Sequence, residues 1–178
     1  MKQFNISKIS LLILLPLAVI FFIAYSYLAY AAFWQNIYFG RPIFNSPDET
    51  SNYFFSQMFA GDNTFKFYDD SNGPAEGLVT PRSMRVIAGY TVPASFIGLP
   101  LIFGAISKLT GLDYLPFFTP LFSVLGVLFF YLLVKELFNR YTALIAAIFA
   151  FIVPAWWYYS AKGMMPNALF ISFFIITL

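Results

Sequence analysis

The chain has 178 residues, of which 60% are hydrophobic, 22% aromatic and only 10% charged, with a formal net charge of +2 and a mean hydropathy of +0.75. A soluble domain carries about a quarter charged residues, so this composition excludes a soluble enzyme, a disordered tail and a nucleic-acid binder, and makes the bilayer the solvent for much of the surface. With no Cys and no His, disulfides, thiolates and the commonest general base and metal ligand are all missing, which leaves carboxylates, Lys, Arg, Tyr and the backbone for any chemistry.

The charges cut the chain into five charge-free stretches, 9–40, 86–107, 114–134, 141–161 and 163–178. A spanning helix needs about 20 apolar residues. The first four stretches supply them, and the fifth runs to the final residue, which predicts a fragment with further spans beyond it. Lys2 and Lys8 precede the first apolar run as they would in a signal peptide, but the run exceeds a signal core and more spans follow, so an uncleaved first helix over 1–40 is expected. The sequon Asn5-Ile6-Ser7 falls on the same stub and carries no argument.

Residues 41–85 hold six acidic and four basic side chains, a net of −2, whereas the rest of the chain sums to +4. This asymmetry predicts a cytoplasmic N-terminus and a large outer loop over 41–116. Within that loop Ser46-Pro47-Asp48-Glu49 reads as a helix start, with Ser46 as N-cap, Pro47 at the first position and Glu49 at the capping-box position. The helix should run to about residue 60 and end at Gly61-Asp62-Asn63. Its Tyr53, Phe54, Phe55 and Phe59 suit a helix lying against the membrane interface. Asp69-Asp70 before Ser71-Asn72-Gly73-Pro74 is turn chemistry.

The stretch 86–107 is interrupted by Gly89, Pro93, Gly98, Pro100 and Gly104 and makes a poor straight span. If it crossed, Lys135 and Arg140 would lie outside, so a re-entrant or juxtamembrane helix is the better expectation. Residues 114–134 then run inward, 141–159 run outward, and 160–167 form a second outer loop. The fold class that follows is an all-α integral membrane protein, a multi-pass helical bundle with a large first outer loop. The whole of 1–178 forms one transmembrane module, with further spans over 117–178. No internal repeat or low-complexity segment is present.

Asp48 and Glu49 are the leading chemical candidates, although acidic residues at a helix start also stabilise any helix through its dipole. Arg82 and Arg85 follow Pro81 directly before an apolar stretch, where two cations either clamp a lipid phosphate or anchor a helix end. Lys162 follows Trp156-Trp157-Tyr158-Tyr159, four aromatics that read as an interfacial belt, and is the lone charge of the second outer loop. A transporter or non-catalytic subunit is the rival reading, in which the acidic pair only caps a helix and the Gly/Pro-broken segment lines a pathway. Against it, none of the charge-free stretches holds the intramembrane charge that many ion-coupled carriers need.

The order of these features carries a resemblance. A first span leads to Pro47-Asp48-Glu49, and a later span leads into Tyr131-Leu-Leu-Val-Lys-Glu-Leu-Phe-Asn-Arg140. Tyr141-Thr-Ala-Leu-Ile-Ala-Ala then runs to Pro154, and Tyr158-Tyr-Ser is followed by Met165-Pro-Asn-Ala-Leu-Phe170. This resembles the N-terminal module of the GT-C glycosyltransferases, among them the dolichyl-phosphate-mannose protein mannosyltransferases and the lipid A aminoarabinose transferases. Two departures stand out: Asn167 where relatives often have Asp after Pro, and Thr80-Pro81-Arg82-Ser83 in the approximate place of a His-Pro-Pro stretch.

The resemblance implies a multi-pass glycosyltransferase, a hexosyltransferase of the plasma membrane, of which this piece alone would be inactive. It implies inverting transfer of a sugar from a polyprenyl-phosphate donor to an acceptor hydroxyl on a lipid, glycan or protein at the outer face. Membrane lipid is a further partner and nucleic acid is not. The family's Asp is the proposed general base, by position Asp48 with Glu49 supporting it. Of the acids in the outer loop, Asp48, Glu49, Asp62, Asp69, Asp70 and Glu76, only the first two sit on a predicted rigid element near the membrane plane. Arg82, Arg85 and Lys162 are the candidate phosphate contacts. No cofactor is assigned, and the involvement of a divalent metal ion is open.

Overall fold

The computed structural model describes residues 3–35, 37–38, 41–42, 44–72, 74–75, 77–78 and 80–178. Lys2, Gly73 and Glu76 of the sequence reading lie outside them. The chain forms two compact units, one from Met1–Ala31 with Pro116–Leu178 and the other from Ala32–Leu115. The described residues are mainly helical, and two helices are long and apolar enough to cross a membrane, Ser10–Ala32 and Leu112–Leu137. The all-α membrane class therefore holds, with a little sheet added.

The first unit is built on α1 (Gln3–Gln35), α4 (Leu115–Leu137), α5 (Arg140–Ile152), α6 (Pro154–Ser160) and α7 (Pro166–Thr177). Leu14, Ala18 and Tyr25 of α1 meet Val124, Val127, Tyr131 and Val134 of α4 and Ala143, Ala147 and Phe151 of α5 in one buried cluster. These positions recur every three or four residues, so each helix turns one stripe inward. The other faces keep Leu12, Ile20, Ile23, Leu132, Ile145 and Phe149 exposed, as a lipid-facing surface requires. At Gly126 of α4 a Cβ would come within 2.8 Å of the Ser172 Cβ on α7. Small residues permit this close crossing where lipid offers no hydrophobic drive to press helices together.

The turn between α4 and α5 is closed by Asn139, whose side chain accepts from the Tyr141 and Thr142 N–H groups at 3.0 Å each. The stretch 141–159, expected to run outward, is broken into two helices. Pro154 has no N–H to donate and its ring holds Val153 extended at φ −63°, ψ 130°, so α5 stops and α6 leaves at an angle of 59°. The break frees carbonyls at the end of α5. One of them, on Phe151, accepts from the Tyr25 hydroxyl at 2.6 Å, so a side chain of the first span satisfies a group that would otherwise be buried unpaired. Trp157 packs edge-on to Tyr25 at 5.2 Å, and both Trp156 and Trp157 pack against the core cluster. Only part of the expected aromatic belt is thus exposed, with Tyr158 at 53% its clearest member.

The second unit contains the stretch expected to form the first outer loop. Two short strands, β1 (Ile37–Tyr38) and β2 (Arg41–Pro42), pair antiparallel. Helix α2 covers Pro47–Asp62 and ends at Asn63 in the left-handed conformation, φ 55°, as its sequence predicts. Next come β3 (Phe67–Tyr68), β4 (Met84–Ile87), β5 (Tyr90–Pro93) and α3 (Gly98–Thr110). The three strands form an antiparallel sheet in the order β3-β5-β4. Asp69 closes the intervening turn by accepting from the Ser71 N–H at 3.0 Å.

The stretch 86–107 is therefore not one interrupted helix. Its first half is a hairpin whose two turn residues, Ala88 and Gly89, have φ of 51° and 80°, the geometry that matches strand twist. Gly89 is doubly constrained there, since a Cβ would stand 2.9 Å from the Tyr68 ring. The second half, α3, has 13 residues, too few to cross a bilayer. Leu99, Pro100, Phe103, Gly104 and Ser107 form its buried face. At Gly104 a Cβ would approach the Ser56 carbonyl oxygen of α2 to 2.8 Å, so the glycine sets how closely α2 and α3 pack. Lys108 in the last turn of α3 donates to the Asn63 side chain and sits 4.8 Å from the centre of the Phe59 ring.

The aromatic residues of α2 serve this packing. Phe55 is fully buried, Phe54 meets Phe67 edge-on at 5.1 Å and Phe59 stacks on Phe65 at 4.8 Å. Of the four rings, Phe55 is therefore taken into the unit's own core, while Tyr53, Phe54 and Phe59 are half-buried.

Candidate functional site

The start of α2 is organised by its cap. Ser46 is extended, φ −122°, ψ 135°, and its hydroxyl accepts from the Asp48 N–H at 3.3 Å, while Thr50 Oγ1 donates to the Ser46 carbonyl at 3.2 Å. Pro47 lacks an N–H that would have no helical partner in any case. The acidic pair then splits. Asp48 is exposed, whereas Glu49 is 4% exposed and heads a buried polar stripe with Asn52 and Ser56. Successive helix positions differ by about 100°, so two adjacent carboxylates are bound to face different surroundings. Tyr53, one turn on from Glu49, accepts from Gln57 Nε2 at 2.7 Å. Burial pushes its phenol pKa up, the Gln57 bond opposes this, and the Asp113 charge adds to it, so Tyr53 stays protonated.

A second segment docks on this helix start. Pro81 to Met84 form a turn closed by the Met84 N–H on the Pro81 carbonyl at 3.1 Å. Ser83 stands in it at φ 67°. The Ser83 hydroxyl donates to Asp48 Oδ1. Its carbonyl accepts from Ser51 Oγ at 3.1 Å and from the Ala94 N–H at 3.2 Å. The same turn carries Arg82, and Arg85 follows on β4, both exposed. Arg85 Nη2 donates to the Ala94 carbonyl at 3.3 Å, which ties its guanidinium to the end of β5.

The fold thus brings together one exposed carboxylate and a turn that bears one exposed cation, Arg82, with a second, Arg85, just beyond it on β4. Lys162 belongs to the other unit, in the turn after α6, with Nζ 5.2 Å from the centre of the Tyr158 ring. That turn is held to α4 by Thr119 Oγ1, which donates to the Gly163 carbonyl at 2.7 Å. Among the described residues no three carboxylates gather as a metal site would require. Ser83 is the residue that sequence reading passed over. Nothing local marks it, because its partner lies 35 positions away.

Residues 99–178 match the family model described as dolichyl-phosphate-mannose-protein mannosyltransferase. The match covers less than half of the chain, and it is this segment that is similar to the mannosyltransferase family. The matched segment of the family runs from α3 through α7 and includes Lys162, while Asp48, Glu49, Arg82 and Arg85 precede it. No curated protein and no solved structure matches the chain.

Proposed function

We propose that the protein transfers a sugar from a polyprenyl-phosphate carrier to an acceptor hydroxyl with inversion, using Asp48 as the general base. The observation that carries this reading is the Asp48 carboxylate, exposed at the start of a capped helix and bonded to the turn that holds Arg82. Transfer requires the acceptor oxygen to form a bond to the anomeric carbon as the bond from that carbon to the phosphate oxygen breaks. The acceptor proton passes to the Asp48 carboxylate, and the electron pair leaves with the polyprenyl phosphate. Arg82 and Arg85 supply positive charge for that phosphate, the electrostatic stabilisation that usually forms the largest part of such catalysis. Glu49, buried beside Asn52, supports the helix start. Lys162 is a separate candidate cation for the donor phosphate.

The protein is read as a multi-pass protein of the plasma membrane, with its N-terminus cytoplasmic and the −2 loop outside. The acceptor is a hydroxyl of a lipid, glycan or protein at that face. The test is transfer of labelled sugar from a synthetic polyprenyl-phosphate donor to membrane acceptors by the purified full-length protein, with the anomeric configuration of donor and product compared by NMR. Donor-dependent transfer with inversion supports the reading. Retention of configuration, or no transfer combined with donor translocation across vesicles, overturns it in favour of a two-step enzyme or a carrier.

A further inference from the structure

We infer that Ser83 is the positioning residue of this site, the group that aims the Asp48 carboxylate; the inference rests on the base assignment above. An exposed aspartate at a helix start ordinarily samples several rotamers, and a base acts well only when one oxygen is held toward the proton it removes. Here the Ser83 hydroxyl donates to Oδ1. Among the described residues Oδ2 has no hydrogen-bond partner, so it is the oxygen left to accept a proton.

The backbone of Ser83 points the same way. Its φ of 67° is a conformation that a residue with a Cβ adopts at a cost and that glycine adopts freely. Two hydrogen bonds to its carbonyl, from Ser51 on α2 and from the Ala94 N–H beyond β5, hold it there. A turn that needed only this conformation is best served by glycine. What serine adds is the hydroxyl, and the hydroxyl is spent on Asp48. Strain held by surrounding contacts at such a place marks function more often than fold. Because Ser83 directly follows Arg82, the device also fixes the base in register with the turn that bears the cation.

Ser83→Gly separates the two roles, since it keeps the backbone conformation and deletes only the hydroxyl. In the full-length protein it should lower kcat for transfer by roughly ten- to a hundredfold, the scale of a misaligned catalytic group. Donor KM should stay within about twofold and Tm should be unchanged or raised, in line with the backbone cost that glycine removes. Wild-type kcat in Ser83→Gly with Asp48→Asn inactive overturns this inference and leaves the base assignment standing. An active Asp48→Asn variant removes the base assignment and this inference with it. A loss expressed in donor KM puts Ser83 in the phosphate site instead and overturns its action through Asp48. If Ser83→Gly and Ser83→Ala both lower Tm in parallel with activity, the serine is a latch of the fold and the inference is wrong.

Discussion

The Ser83 hydroxyl donates to the Asp48 carboxylate across a sequence separation of 35 residues, and the Ser83 carbonyl accepts from Ser51, on the same helix as Asp48. Two bonds in opposite senses therefore clamp the 81–84 turn to the first turn of α2. Arg82 is the residue directly before Ser83 in that turn.

Asp48→Asn should abolish transfer while leaving the fold in place. Removing a positioned general base costs on the order of 10² to 10⁴ in rate, whereas an acidic residue at a helix start is worth only about 0.3–1 kcal/mol. The asparagine oxygen still accepts from Ser83 and from nothing it did not before, so the cap and the turn survive. Expression level, Tm and transfer rate measured together decide the matter, and an active variant with normal Tm would reduce Asp48 to a capping residue.

Arg82→Gln should raise donor KM more than Arg85→Gln does. Arg85 is already tied to the Ala94 carbonyl, while Arg82 stands on the clamped turn. Lysine at position 82 should restore binding only in part, because a point charge does not reproduce the forked guanidinium contact. Equal and unchanged KM values in both glutamine variants would make the two arginines membrane anchors.

Gly104→Ala should destabilise the second unit. On an exposed helix the change would gain up to about 1 kcal/mol. At this crossing, however, the new methyl meets the Ser56 carbonyl oxygen at 2.8 Å and the Phe59 Cβ at 3.0 Å, and overpacking of this kind costs about 1–3 kcal/mol. A fall in Tm, or faster proteolysis within 32–115, is the expected result. A rise would mean that α2 and α3 separate easily.

Topology can be read with single cysteines, since the chain has none of its own. Ser71, Asn139 and Asn167 are exposed, whereas Ser160, at the end of α6, is fully buried and would give a misleading negative. A membrane-impermeant thiol reagent on intact cells should label cysteines at positions 71 and 167 and leave position 139 unlabelled. Labelling at 139 with protection at 167 would reverse the assignment of the second pair of spans.

The sequence by itself determined the solvent, the long helices and the start of α2. An apolar run of sufficient length has one low-energy solution in lipid, because every backbone group must be paired within the segment. A Ser-Pro-Asp-Glu start is likewise a local matter of caps and dipoles. What only the tertiary structure decided depends on partners distant in the chain. Residues 84–93 form a hairpin because β5 finds β3 beside it, although the same glycines and prolines read equally well as breaks in a helix. The α5–α6 bend is stabilised by Tyr25, 126 residues before the carbonyl it satisfies. The acidic pair was legible as a pair, but which carboxylate is buried, Glu49, and which exposed, Asp48, appears only in the folded unit. The role of Ser83 was hidden for the same reason: a hydroxyl carries no periodicity, and its meaning lies in the residue that the fold sets opposite it.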